Sequence, residues 1–242
     1  GGLPEGRIIE IAGAPSSGKS HIAFDLAKTV QKMGGLVIYI DTENAVMVER
    51  LGELGINVAK QFVYCDTHCT EEVFTIIEKT LVKAKSLLKD VPILIVWDSV
   101  AATSPKQELE GEMEDQTMGL QARVIAKGMR KITGIIGQCN ATLLCLNQVK
   151  DKVGVVFGDP SFTPGGKGIP FHASVRIRLQ GNSQIKKGEH VVGITVEAKI
   201  IKNKVARPHR RAEFSIIFGK GIDESEGLFD LMAKFIKDNG NI

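Results

Sequence analysis

Arg7-Ile8-Ile9-Glu10-Ile11-Ala12-Gly13-Ala14-Pro15-Ser16-Ser17-Gly18-Lys19-Ser20 is the stretch whose reading decides the fold. Arg7 to Ala12 is a short β-branched run that reads as a strand and stops on Gly13. A helical pattern follows: Ile22, Leu26, Val30 and Met33 recur at steps of four and three, and Gly34-Gly35 supplies a C-cap. Between strand and helix, Gly13, Ala14, Pro15, Ser16, Ser17, Gly18, Lys19 and Ser20 form a Gly-x4-Gly-Lys-Ser phosphate loop in its required context. Glycines let backbone N–H groups converge on phosphate oxygens, the helix start adds partial positive charge, and Lys19 adds a full one. Ser20 offers a hydroxyl to Mg2+. A chance glycine turn is the competing reading, and a match of this length in this setting argues against it. The expected ligand is a nucleoside triphosphate.

Outward from the loop, strand and helix alternate. Leu36 to Asp41 and Phe62 to Cys65 read as strands. Phe74, Ile77, Leu81, Ala84 and Leu88 trace one apolar helix stripe, with Thr70 as the expected N-cap and Glu71-Glu72 at the positive helix end. Val91 to Trp97 is almost continuously apolar, as in a parallel strand buried on both faces. A long helix is expected from about Gln116 to Gln138, with Ala122, Ile125, Met129, Ile132 and Ile136 inward, and Ala141 to Leu146 returns to strand. Lys150 to Pro170 holds five glycines and three prolines and has no periodicity. Strands alone follow, at His172 to Leu179, Val191 to Ile201 and Ala212 to Phe218, before a last helix from about Asp223 to Lys237. This order predicts a three-layer α/β fold in one domain spanning residues 1–242, with a mostly parallel central sheet and antiparallel strands at one edge.

Composition narrows the function classes. The chain has 242 residues, 43% apolar and 24% charged, which is enough for one substantial core and unlike a disordered chain. No apolar run approaches the roughly 20 residues of a membrane span, so no membrane role is expected. The net charge of +3 cannot by itself attract nucleic acid, which would need local clustering. Four cysteines are too few for a disulfide framework and point to a reducing, cytoplasmic setting. Cys65-Asp66-Thr67-His68-Cys69 has no second ligand pair, and core cysteines explain it better than zinc. The opening Gly1-Gly2-Leu3-Pro4 has neither an initiator Met nor a leader, and is expected to be the edge of a trimmed piece without a secretory signal.

Three further positions carry candidate chemistry. Asp98 ends the buried strand Leu94-Ile95-Val96-Trp97, where a carboxylate can hold the water shell of Mg2+ beside a phosphate loop. Glu43, in Asp41-Thr42-Glu43-Asn44, can polarise the attacking water, although position alone favours a solvated loop glutamate. Gln148, after Asn147, can contact the γ-phosphate and pass that contact to the glycine-rich stretch; a turn amide is the alternative. That stretch mixes Lys150, Lys152 and Lys167 with Phe157, Phe162 and glycines, suited to phosphate contact. Arg123, Lys127 and Arg130 form one basic helix face, for which ordinary solvated charge is the alternative.

Together these residues resemble the bacterial RecA recombinase family. The resemblance runs nearly end to end, through Gly13–Ser20, Asp41-Thr42-Glu43, Trp97-Asp98-Ser99-Val100-Ala101-Ala102, Met118-Gly119-Leu120-Gln121-Ala122-Arg123 and Asn147-Gln148-Val149-Lys150. Gly165-Gly166-Lys167, Phe171-His172-Ala173-Ser174-Val175-Arg176 and Lys202-Asn203-Lys204 continue it. It implies a RecA-like P-loop NTPase core that uses ATP and Mg2+, binds single-stranded DNA and homologous duplex DNA, and self-associates into a filament. DNA-binding loops would lie at about 112–119 and 150–170. Met118 and Val153 would wedge between bases, with Gly119, Arg123, Arg130, Lys150, Lys152, Gly165, Gly166 and Lys167 also at the DNA. Lys202 and Lys204 would reach the γ-phosphate of a neighbouring subunit, and Phe171 would anchor the subunit contact, with a core aromatic as the alternative. Arg50 stands where the family carries a Tyr that stacks on adenine, Lys150 replaces an Arg, Lys167 an Asn, and Gln180-Gly181 a basic pair. Without the family's N-terminal docking segment and C-terminal domain, filament formation and ATP turnover by this piece are expected to be impaired. A non-catalytic nucleotide- or peptide-binding scaffold and a related ring ATPase or helicase are the competing functions.

Overall fold

The computed structural model describes residues 2–87, 91–112, 118–151 and 161–223. In chain order these form β1 (Ile8–Gly13), α1 (Lys19–Lys32), β2 (Leu36–Asp41), α2 (Val48–Glu53), β3 (Phe62–Asp66), α3 (Thr70–Leu87) and β4 (Ile93–Asp98). A 3-10 turn at Val100–Ala102 leads to α4 (Lys106–Glu110), α5 (Leu120–Gln138), β5 (Ala141–Gln148), β6 (Lys150–Asp151) and β7 (Ser161–Phe162). Then come α6 (Gly168–His172), β8 (Val175–Lys187), β9 (His190–Asn203), β10 (Arg211–Ile217) and β11 (Gly221–Asp223).

Nine strands form one sheet in the order β11-β10-β9-β8-β1-β5-β4-β2-β3, and β6 pairs with β7 as a separate ribbon. From β3 to β8 every pairing is parallel; β9, β10 and β11 add antiparallel strands beyond β8. All residues of β1 and of β4 are buried, because helices cover both faces of the parallel part. On one face α3 and α5 bring Val73, Ile77, Leu81, Ile125, Met129 and Ile132 onto Ile38, Ile95, Trp97 and Leu143. Phe74 meets Trp97 edge-on with 5.5 Å between ring centroids. That ring lies where a side chain on Gly128 would project, so only glycine lets α5 approach α3 so closely. On the other face α1 covers Ile9, Ile11, Val37, Tyr39 and Val96. No described helix is long and apolar enough to cross a membrane.

Several elements differ from expectation, each for a physical reason. The fully buried residues of α1 are Ala23 and Ala27, while Ile22, Leu26 and Val30 pack at the flanks and Met33 is 57% exposed. Small side chains let the helix sit close on the sheet. Thr70 is already helical and its buried hydroxyl has no partner; Thr67 instead accepts from the Cys69 N–H at 3.2 Å and donates to Glu72 at 2.5 Å. The long helix starts at Leu120 behind Gly119, whose φ of 71° is left-handed; Gln116 lies outside the described residues. The strand expected from His172 is instead the end of α6, held by burial of Ile169 and Ala173, and β8 begins at Val175. Strand β8 then runs on through Gly181 to a hairpin at Gly188 (φ 63°). The helix expected after Asp223 and Leu88 of the α3 stripe fall outside the described residues.

The consequence for function is geometric. Because β1, β2, β4 and β5 run parallel, their carboxyl ends meet at one edge, with Gly13 beside Gln148 and Asp41 beside Asp98 in register. Residues far apart in the chain therefore share the crevice where open α/β sheets take ligands.

Candidate functional site

The loop between β1 and α1 is shaped by close approach. A side-chain carbon on Gly13 would come within 2.9 Å of the Leu179 carbonyl oxygen, and Gly18 at φ 88° would meet Ile216. Ser16 also takes a left-handed φ of 59°. Helix α1 has no side-chain cap and no acidic residue in its first turn, so its N-terminal N–H groups and positive end face the loop. The Ser17 hydroxyl is buried without a partner. The Lys19 ammonium donates to the carbonyls of Gly13 (3.2 Å) and Ala14 (2.8 Å). Burial pulls its pKa down, and the charges of Asp98 and Glu43 oppose that shift.

Carboxylates face this cation. Asp98 Oδ2 accepts from Ser20 Oγ at 2.8 Å and from Tyr39 Oη at 2.5 Å. Burial pushes the Asp98 carboxyl up, and the two hydroxyl donors pull it back. Glu43 Oε1 accepts from Ser99 Oγ and from Gln148 Nε2, the latter at 3.4 Å. Buried Asp41 fixes the Glu43 loop from below: its Oδ1 accepts from the Glu43 N–H, and its Oδ2 from the Val46 N–H and the Tyr64 hydroxyl. Thr42 ties the same loop to β4, its N–H donating to Asp98 O and its hydroxyl to Ser99 O, both at 2.7 Å. Residues Pro15–His21, Glu43, Asp98 and Gln148 thus line a cavity of about 580 Å3, closed by Ile194, Ile216 and Phe218. A second cavity of about 310 Å3, sharing His21 and Phe218 with the first, is lined by Arg50, Phe24, Val46, Met47 and Leu51. Burial and the nearby Arg50 charge lower the His21 pKa.

The donor set suits Mg2+ with a triphosphate. It offers one hydroxyl and one carboxylate, both hard oxygens, and a glycine cradle that a β-carbon would fill. No group of three or more His, Cys, Asp or Glu able to hold a metal occurs among the described residues. Mg2+ commonly takes one or two carboxylates and completes its shell with water and substrate phosphates.

The basic face of α5 is exposed at Arg123, Lys127 and Arg130, opposite buried Ile125, Met129 and Ile132. Met118, just ahead, is 97% exposed. Gly165 (φ 86°) and Gly166 (φ 71°) lie against the start of α5: side-chain carbons there would come within 2.8 Å of Ile125 and 2.6 Å of Ala122. The tertiary fold therefore sets Gly165-Gly166 against Ala122 and Ile125, directly after the first candidate loop region. Lys150 and Lys167 are both exposed, the former on β6 opposite Phe162. Lys152, Val153 and Phe157 lie outside the described residues.

Lys202, Lys204 and Phe171 sit apart from the phosphate loop within the chain. Lys202 pairs in register with Arg176, near the start of β8, whereas Gly13 pairs with Leu179 further along. The Lys202 ammonium donates to the carbonyls of Pro170 (2.7 Å) and Phe171 (3.0 Å). Burial lowers its pKa, reinforced by Lys204 and Arg176. The Phe171 side chain is no core aromatic; the residue is 75% exposed.

Four residues in the network have no role assigned from the sequence: Tyr39 and Glu10 lie within strands, and Ser99 and Asn147 only flank the residues singled out. A carboxylate inside an apolar strand is the sequence cue for Glu10, which is 1% exposed, since a buried carboxylate needs partners. It pairs with Arg176 Nε at 2.5 Å and accepts from Asn147 Nδ2 at 3.2 Å. The same Asn147 amide donates to Pro164 O at 3.0 Å, beside Gly165. Asn147 thus links β1, the Gln148 position and the Gly165-Gly166 segment.

A parallel α/β sheet with a phosphate loop after β1, and with Ser20, Asp98, Glu43 and Gln148 gathered at the carboxyl edge, defines a P-loop domain of the NTPase class. Residues 1–223 match the model of the RecA N-terminal domain. The chain is 42% identical to "Protein RecA" of Bacteroides thetaiotaomicron, over 100% of this chain and 72% of that protein. It is 43% identical to "Protein RecA" of Sulfurimonas denitrificans, over 97% of this chain and 66% of that protein. With "Protein RecA" of Porphyromonas gingivalis the identity is 41%, over 100% and 69%. The chain belongs to the RecA family, and it spans about two thirds of the length of these relatives.

Proposed function

We propose that residues 1–242 form the ATPase core of a recombinase that binds single-stranded DNA and exchanges it with homologous duplex in DNA repair. The backbone of Gly13–Ser20 and Lys19 hold the triphosphate. Ser20 and Asp98 hold Mg2+, which when bound neutralises phosphate charge. Glu43 orients and deprotonates the attacking water, and Gln148 reads the γ-phosphate. Arg50 borders the base. Arg123, Arg130, Lys150, Lys167 and the Gly165-Gly166 backbone hold DNA phosphates, and Met118 parts the bases. Lys202, Lys204 and Phe171 serve a neighbouring copy in a filament.

The observation that carries this reading is that Glu43 faces the phosphate cavity while accepting from Gln148, at the end of the strand that leads into the glycine-rich stretch. Occupancy of that stretch by DNA can therefore alter the group that activates water. The test is ATP hydrolysis with and without single-stranded DNA, over series of salt and protein concentration. Hydrolysis stimulated by DNA, with stimulation that falls as salt rises, is expected of a chain as long as the RecA relatives, and weak or no turnover of residues 1–242 alone. Nucleotide binding with no hydrolysis by the longer chain at any DNA or protein concentration would favour the scaffold reading.

A further inference from the structure

We infer that Tyr39 is the positioning residue that sets the Asp98 carboxylate, and through it the Ser20 hydroxyl, to receive Mg2+. This rests on the reading of Ser20 and Asp98 as the Mg2+ site; Tyr39 itself touches neither the nucleotide cavity nor solvent.

Rotation of an aspartate carboxylate about its last torsion is soft, so a lone Asp at a strand end presents either oxygen in many orientations. Here Asp98 is 7% exposed, and Oδ2 takes two hydroxyl donors, from Ser20 at 2.8 Å and Tyr39 at 2.5 Å. Two donors converging on one oxygen fix the carboxylate plane and keep Oδ1 clear of both. The Ser20 hydroxyl has a single proton and gives it to Asp98, so its lone pairs are free to face a cation. If the carboxylate turned, Ser20 would lose its acceptor, and its proton could point at the cation in place of a lone pair.

Tyr39 is suited to enforce this because it cannot move. It is fully buried in the middle of β2, with its ring stacked between Phe24 and Phe62 at centroid distances of 5.7 and 6.4 Å. Its hydroxyl, buried with the ring, needs an acceptor, and Asp98 supplies it. The rings fix the phenol, the phenol fixes Asp98, and Asp98 fixes Ser20. No step of this chain requires the Tyr39 hydroxyl to ionise.

Tyr39→Phe removes only the hydroxyl and leaves the stacked rings in place. The experiment titrates MgCl2 against a fluorescent ATP analogue bound to the protein, and repeats the binding in EDTA. In Tyr39→Phe the Mg2+ midpoint should rise about 10-fold, as is common when a partner behind a metal ligand is lost. Affinity in EDTA should stay unchanged. A double-mutant cycle with Asp98→Asn keeps the test open should the single variant be destabilised: on the Asp98→Asn background, removing the Tyr39 hydroxyl should no longer move the midpoint. Ser20→Ala is the control for the underlying reading. If Ser20→Ala raises the midpoint and Tyr39→Phe does not, the inference is overturned and the Mg2+ site stands. Equal weakening with and without Mg2+ in Tyr39→Phe would make Tyr39 a packing residue only, which also overturns it. If Mg2+ does not affect binding in the parent, both the site and the inference fall.

Discussion

Glu43 is where a single residue matters most. Its place in a loop after β2 favours solvent over catalysis, yet its carboxylate is held by Ser99 and Gln148 and its backbone by Asp41. A group so restrained pays its ordering cost before substrate arrives, as positioning for catalysis requires. Glu43→Gln keeps the shape and an acceptor oxygen but cannot take a proton. Hydrolysis should fall by roughly 10²–10⁴-fold with binding of the ATP analogue within a few-fold of the parent. Parallel single-turnover and binding assays check this, and retained turnover would remove Glu43 from the base role. Glu43 as a candidate was legible from the residues; its partners were not, because Ser99 lies 56 positions away and Gln148 lies 105.

The packing of α6 between α5 and the end of β9 illustrates what happens at the scale of elements. His172, its last residue, lies 3.0 Å from the Thr133 hydroxyl. Burial lowers its pKa from 6.5, and Arg130 on α5, Lys204 just after β9 and Lys202 on β9 add to the effect. The folded state therefore resists protonation more than the unfolded chain does. Stability on this account is complete above about pH 6.5 and declines as the pH falls from there towards the lowered folded value. His172→Gln should flatten that part of the profile, so that the parent's melting temperature falls relative to the variant's between pH 7 and pH 5. Parallel profiles would refute the contribution of His172. From sequence alone Gly168 to Pro170 belong to the aperiodic stretch and His172 opens a strand, since five helical residues are too few to show a period. Burial of Ile169 and Ala173 against the core made the difference.

At the scale of the whole molecule, the phosphate-loop lysine and the Lys202/Lys204 pair lie at different levels of the sheet. Lys19 is at the carboxyl edge of the sheet, whereas Lys202, paired with Arg176, is several residues back on β9 and Lys204 follows the strand's end, with Phe171 exposed beside them. Within one chain these lysines do not line the phosphate cavity. If they act on the triphosphate, they do so across an interface, and the rate must depend on assembly. Replacing Lys202 and Lys204 together by Ala should leave analogue binding intact and abolish the steeper-than-linear rise of hydrolysis with protein concentration. Undiminished activity of the double variant at low concentration would place these residues outside the reaction.

The phosphate loop, the apolar strands and the helix periods were determined by the sequence alone, because local hydrogen bonding and side-chain period are short-range properties. So was the family, since Gly13–Ser20, Glu43, Asp98 and Gln148 appear in order along the chain. Only the tertiary structure decided which polar groups meet: Tyr39 on Asp98, Asn147 between Glu10 and Pro164, and the Gly165-Gly166 segment against α5. The physical reason is that a parallel sheet brings remote strand ends into register, and burial then favours pairing among the polar groups placed there.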